Sequence, residues 1–147
     1  MYSIEFEEVR QMVREIIRDP IFLSQKSVEA TAADIPIAND LKDTLRANLD
    51  RCVGMAANMI GQRKRIIAVA KGPMVVVMLN PKILSKSGEY ETEEGCLSLE
   101  GKRKTKRYNS IRLSWQDTQM KVHIETLDGF QAQIVQHEVD HCDGILI

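Results

Sequence analysis

The sequence predicts an α+β protein. Two helical stretches come first, a series of β-branched runs separated by turn residues follows, and a last helical stretch carries the segment HEVDH. Helices and strands are segregated along the chain, so a parallel sheet of alternating β/α units is not expected.

Each element has a local cause. Val9, Met12, Val13, Ile16 and Ile17 recur at helical spacing, which predicts an amphipathic helix over residues 5–18 that stops before Pro20. Residues 19–37 show no sustained period and read as irregular chain. Asp40 is placed to cap a second helix beginning at Leu41, with Leu41, Leu45, Leu49, Cys52 and Val53 on its apolar face. That helix is expected to run on through GMAANMIG and to end at Gly61. RIIAVA (65–70) and MVVVMLN (74–80) are β-branched and apolar, and Lys71-Gly72-Pro73 makes the turn between them. Asn80-Pro81 and Ser87-Gly88 are further turn candidates, flanking a short strand at 82–85. KRKTKR (102–107) reads as a solvated hairpin edge. NSIRLSW (109–115) and KVHIETL (121–127) alternate as strands around a polar turn. A third helix follows Asp128 and Gly129, with Phe130, Ala132, Ile134 and Val135 on its buried side.

Composition narrows the function classes. The 147 residues suit one domain, residues 1–147, able to bury a core without disulfides. Twenty basic residues balance twenty-one acidic ones, giving a net charge of -1 and no global attraction to nucleic acid or membrane surfaces. Cys52, Cys96 and Cys142 are odd in number and irregularly spaced, which points to a reducing cytoplasm and not to a secreted disulfide scaffold. No stretch reaches the length of a membrane span, and the first residues do not read as a signal peptide.

The chemical signal is HEVDH. On a helix, His137 and His141 at i and i+4 share a face and can bind one metal ion, while Glu138 can reach a water beside it. Two of the three histidines in the chain lie in this motif. A catalytic site needs a third protein ligand and an open position. Cysteine, aspartate or glutamate would serve. Cys96, in a compact glycine-preceded segment, leads; Cys142 points about a hundred degrees away from His141 along the helix, and Cys52 reads as a packing residue. Aspartate and glutamate stay open at this point.

Three segments together resemble the peptide deformylase family: HEVDHCDG, EGCLS (94–98) and, less closely, CVGMAANMIG (52–61). Their order and separation also fit, and the resemblance spans nearly the whole chain. It implies antiparallel β-sheets packed around a central helix that carries HExxH. It implies metal ligation by Cys96, His137 and His141, with Glu138 as general base and proton shuttle and the Leu97 N–H as oxyanion donor. The implied reaction removes the N-formyl group from formylmethionyl peptides of nascent proteins. The implied metal is one divalent ion, usually Fe2+, with Zn2+, Ni2+ or Co2+ able to use the same ligands. Transient contact with the ribosome is a further implied partnership. The resemblance also suggests that Glu94 pairs with a strand arginine, for which Arg107 is the candidate; from the residues alone Arg107 is a solvent-exposed base of KRKTKR.

The departures are specific. Met59 stands where the family places a glutamine that helps hold the oxyanion, and a thioether donates no hydrogen bond. Met59 can also simply pack. Asn58 replaces the usual proline and Cys52 the first glycine. Glu100 stands where proline is common. Gln133 takes a helix position that often turns an apolar side chain to the substrate pocket, and Ile147 follows soon after the metal helix. Met59 and Gln133 motivate a second reading, a metallo-amidohydrolase for another small N-acylated substrate. A third reading is a metal-binding protein with little turnover, against which Glu138 speaks because binding does not need it.

Overall fold

The computed structural model describes residues 12–147. The helices are α1 (Pro20–Leu23), α2 (Ile35–Ala47) and α3 (Gly129–Cys142); the strands are β1 (Gly54–Ala56), β2 (Ile66–Lys71), β3 (Met74–Cys96), β4 (Leu99–Gln116) and β5 (Val122–Asp128). The expected α+β class holds. The strands form one antiparallel sheet in the order β1-β2-β3-β4-β5.

Strand β2 shows why the run RIIAVA is apolar throughout. Ile66 and Ala68 pack on one side, against a core that includes Leu41 and Leu45 of α2. Ile67 and Val69 pack on the other, with Ala132, Val135 and Val139 of α3. The strand is covered on both faces, so its pattern is continuous and not alternating. Helix α3 therefore lies on one side of the sheet and α2 on the other.

Several local expectations are corrected. Residues 12–19 carry no helix, and the rest of the stretch predicted helical at 5–18 lies outside the described residues. The segment is bonded to its neighbours instead: Arg14 N donates to Thr44 Oγ1 at 2.9 Å and Ile17 N to Met59 O at 2.7 Å. Those partners satisfy the backbone without helical bonds, and tertiary packing of Ile16 and Ile17 overrides the periodicity. The second helix starts at Ile35, six residues before Leu41. A 3-10 turn at Ala32–Asp34, closed by a capping box between Thr31 and Asp34, leads into it, and Pro36 suits a first helical turn. It ends at Ala47, and the GMA of the glycine-rich segment becomes β1, pairing with Ile67–Val69. ANMI follows as a 3-10 turn, which Gly61 ends as expected, at φ 84°.

Asn80-Pro81 is a bulge inside β3. Asn80 has φ 51°, and its side chain bonds both backbone groups of Ala30 at 2.8 and 2.9 Å. Pro81 offers no N–H to the ladder. Ser87-Gly88 also stays within β3, and pairing continues from Ser87↔Ser110 to Glu89↔Tyr108. Strands β3 and β4 thus make one long hairpin, closed by Leu97 and Ser98 between the paired Cys96 and Leu99. On α3, Ala132, Ile134 and Val135 are buried, but Phe130 is exposed.

Candidate metal centre

His137 and His141 come from successive turns of α3, and Cys96 is the last residue of β3. Their Nε2 atoms lie 3.2 Å apart, and Cys96 Sγ is 3.3 Å from His141 Nε2. The three ligand atoms all fall within 4.8 Å of one another. The helix supplies the i,i+4 pair, and the tight β3–β4 turn brings the thiol to it.

Three side chains fix this corner. Glu94 Oε1 meets His137 Nδ1 at 2.8 Å, which leaves Nε2 directed at the convergence when the ring is neutral. Arg107 grips Glu94 with Nη2 at 2.7 Å and Nε at 3.0–3.1 Å, and Asp140 with Nη1 at 2.7 Å. Arg107 is only 4% exposed, so the resemblance placed it correctly and the solvent-exposed reading is corrected. Gln136 pairs with Tyr108 as a strand would, accepting from its N at 2.9 Å and donating to its O at 2.8 Å. These bonds lock α3 onto β4.

Electrostatics follows from that packing. Burial alone would raise Glu94, but hydrogen bonds from His137, Arg107 and Gln133 overcome it and hold the carboxyl at about 2. Burial opposes charge on His137, yet contact with Cys96 and Glu94 pulls it up to about 10. Burial, with His137 nearby, pushes His141 down to about 3, which keeps that ring neutral and able to donate a lone pair. One thiol and two imidazoles converging on a point fit a divalent metal ion of borderline softness.

Glu138 is buried beside this group. Oε1 has no hydrogen-bond partner among the described residues. Burial pushes its pKa up to about 7, within the range suited to proton transfer near neutrality. A cleft of about 930 Å³ opens onto Cys96, His137 and Glu138, with Gly54, Leu97 and Gln133 also in its walls. Leu97 sits in the β3–β4 turn, its carbonyl taking Arg18 Nη1 at 2.9 Å. Met59 does not line the cleft. It is buried in the core, and its Sδ accepts from Ala56 N at 3.4 Å. Cys52 is on the cleft wall, half-buried against the core, and Cys142 is buried with the α3 core.

Sequence reasoning missed three residues here. Asp140 is three residues after His137 and so shares its side of the helix, a signal available from spacing alone. Gln136 has no such signal. Gly54 falls within the stretch expected to continue the second helix; in the structure it is the β1 residue that faces Glu138.

Comparisons with known proteins point to one family over most of the chain. The family model described as polypeptide deformylase matches residues 9–147. The chain is similar to the peptide deformylase of Clostridium beijerinckii, 53% identical over 136 residues, covering 92% of this chain and 100% of that one. It is 38% identical over 141 residues to that of Dictyoglomus thermophilum, covering 92% and 91%. A crystal structure of class I type b peptide deformylase from Acinetobacter baumannii with Met-Ala-Ser bound aligns at a TM-score of 0.81 and 30% identity, covering 91% of this chain and 96% of that chain.

Proposed function

The chain belongs to the polypeptide deformylase family, and from that membership we propose that it hydrolyses the N-formyl group of formylmethionyl peptides, releasing formate and a free N-terminus. The observation that carries the reading is the convergence of Cys96, His137 and His141 beside a buried, unpartnered Glu138 oxygen. These three side chains hold one divalent ion, which we assign as Fe2+; Zn2+, Ni2+ and Co2+ suit the same donors. Residues 1–147 act as one catalytic domain. Its substrates are nascent chains, met in the cytoplasm with transient contact at the ribosome and no direct reading of nucleic acid sequence. No helix among the described residues is long and apolar enough to cross a membrane.

When bound, the ion supplies Lewis acidity to the formyl carbonyl and makes a water easier to deprotonate. The rest of the work falls to this chain's side chains. Glu138 takes the water proton as the water oxygen bonds to the formyl carbon. Its raised pKa lets it hold that proton and then deliver it to the amine nitrogen as the C–N bond breaks. The Leu97 N–H donates to the formyl oxygen as negative charge gathers there. Glu94, fixed by Arg107, keeps His137 in one orientation throughout. Met59 contributes no donor of its own.

The test is anaerobic purification with metal analysis, followed by a formate-release assay on a formyl-Met peptide and its N-acetyl counterpart. One ion per chain and turnover of the formyl peptide are expected. Turnover of the N-acetyl peptide in preference would favour the second enzyme reading, which the Met59 substitution motivates.

A further inference from the structure

Gln133 stands one helical turn before His137 on α3, and its side chain meets two things at once. It forms part of the cleft wall, and its Nε2 donates to Glu94 Oε2 at 2.8 Å. Both carboxylate oxygens of Glu94 are engaged. Oε1 contacts His137 Nδ1 and accepts from Arg107 Nη2 and Nε; Oε2 accepts from Arg107 Nε and Gln133. A carboxylate is rigid and planar, so the group that fixes Oε2 also fixes the direction from which Oε1 meets the imidazole. Arg107 comes from β4 and does not line the cleft. Gln133 is the cleft-wall residue that donates to Oε2, as His137 meets Oε1.

We propose that Gln133 is a positioning residue for the hydrolysis: it fixes Glu94, and through Glu94 the orientation of His137, from the wall of the cleft that admits the substrate. This rests on the reading that Cys96, His137 and His141 hold the metal ion. An apolar side chain at 133 would still line the cleft but would leave Glu94 Oε2 with Arg107 alone. A carboxylate at 133 would oppose Glu94 directly at hydrogen-bonding distance. Glutamine serves because it is long enough to reach Glu94 and neutral enough to lie beside it.

The test uses the full chain loaded with Co2+, with Gln133→Leu and Gln133→Glu as variants. Leucine and glutamate are both good helix formers, and residue 133 is only partly buried, so both variants should fold. Three quantities are read: the visible absorption of bound Co2+, the rate of Co2+ transfer to a chelator, and kcat and KM on a formyl-Met peptide. The expectation for Gln133→Leu is an altered absorption, release faster by on the order of tenfold, and a fall in kcat larger than any change in KM. Gln133→Glu should exceed it in each. Absorption and release rate unchanged in both variants would overturn the proposal. A shift in KM alone would make Gln133 a cleft wall only, and would overturn it too. A Cys96→Ser control separates the two levels. Co2+ held as tightly by Cys96→Ser as by the wild type would sink the ligand assignment itself. Strong Cys96 dependence with release indifferent to residue 133 would sink only the positioning role.

Discussion

Glu138 rests directly on Gly54: a Cβ built at residue 54 would lie 2.8 Å from Glu138 Oε2 and 2.8 Å from Ile134 Cγ2. The edge strand β1 and helix α3 approach this closely because residue 54 has no side chain. The carboxylate proposed as the general base fits there because residue 54 lacks a methyl group.

Gly54→Ala should therefore displace Glu138 more than it disturbs the fold. Overpacking of this kind costs about 1–3 kcal/mol, but the atoms that must move include the carboxylate proposed as general base. The expected result is a large loss of kcat with metal content preserved and a modest fall in Tm. Steady-state kinetics, metal analysis and thermal unfolding on one preparation check it. Unchanged kcat would mean that Glu138 has room the structure does not show.

Glu138→Gln should keep the metal and lose nearly all hydrolysis. The amide has the carboxylate's shape but cannot accept the water proton. Formate release from metal-loaded variant protein decides the matter, and near-wild-type turnover would remove Glu138 from the role of base.

Arg107→Ala should be among the most damaging changes remote from the reacting atoms. It strips Glu94 and Asp140 of their shared cation at a position only 4% exposed. Removing one partner of a buried ion pair typically costs about 3–5 kcal/mol. The midpoint of denaturant unfolding should fall accordingly, and metal retention should weaken as His137 loses its support. A variant with wild-type stability would mean that Glu94 and Asp140 find other partners.

The sequence made the metal centre legible because its information is local. His137, Glu138 and His141 are fixed relative to one another by helix geometry, while Cys96 led among several possible third ligands and was assigned by the family resemblance of EGCLS. What was not legible was set by distant partners. The 12–18 segment has helical spacing, but its N–H groups bond to Thr44 and Met59, far along the chain. The segment from Gly54 to Ala56 looks like a continuing helix until β2 is present to pair with it. The start of α2 is a different kind of miss, because the capping pair Thr31 and Asp34 and the following Pro36 were all readable locally. Arg107 shows the limit most plainly. Within KRKTKR nothing local distinguishes it from its neighbours, yet it alone of that run is buried, since its strand position faces Glu94 and α3.

Asp117 gives a pH prediction away from the metal. The hydrogen bond from His123, at 2.8 Å, is the main influence holding it below the usual carboxylate range, and His123 in turn stacks on Trp115 with ring centroids 4.4 Å apart. A depressed carboxyl contributes stability above its unfolded pKa and loses it as pH falls through the folded value. The contribution should therefore vanish on the acid side of the ordinary Asp range. His123→Ala should move the Asp117 titration upward in carboxyl NMR; an unmoved titration would assign the depression to the backbone donors of Gln119 and Lys121 instead.

Met59→Gln is expected to raise kcat on formyl peptides without changing metal content. The two side chains are similar in length, so the exchange creates little cavity or strain. Met59 Sδ now accepts the Ala56 N–H at 3.4 Å, a bond that a glutamine Oε1 makes better, since oxygen is the stronger acceptor. That leaves Nε2 as a new donor in the turn that follows β1, the strand whose Gly54 faces Glu138. If it reaches the formyl oxygen, its benefit appears in kcat, because the bond strengthens as charge develops. A gain of about tenfold would match one restored oxyanion donor in a site not built around it. The opposing effect is burial. Met59 is 1% exposed within an apolar cluster, and an amide N–H stranded there costs about 1–3 kcal/mol. Kinetics and thermal unfolding at matched metal occupancy separate the two outcomes. Higher kcat at near-constant Tm means that the donor has found the oxyanion. Lower Tm with kcat unchanged or reduced means that it points into the core, and that the Leu97 N–H and the metal stabilise the formyl oxygen without help from residue 59.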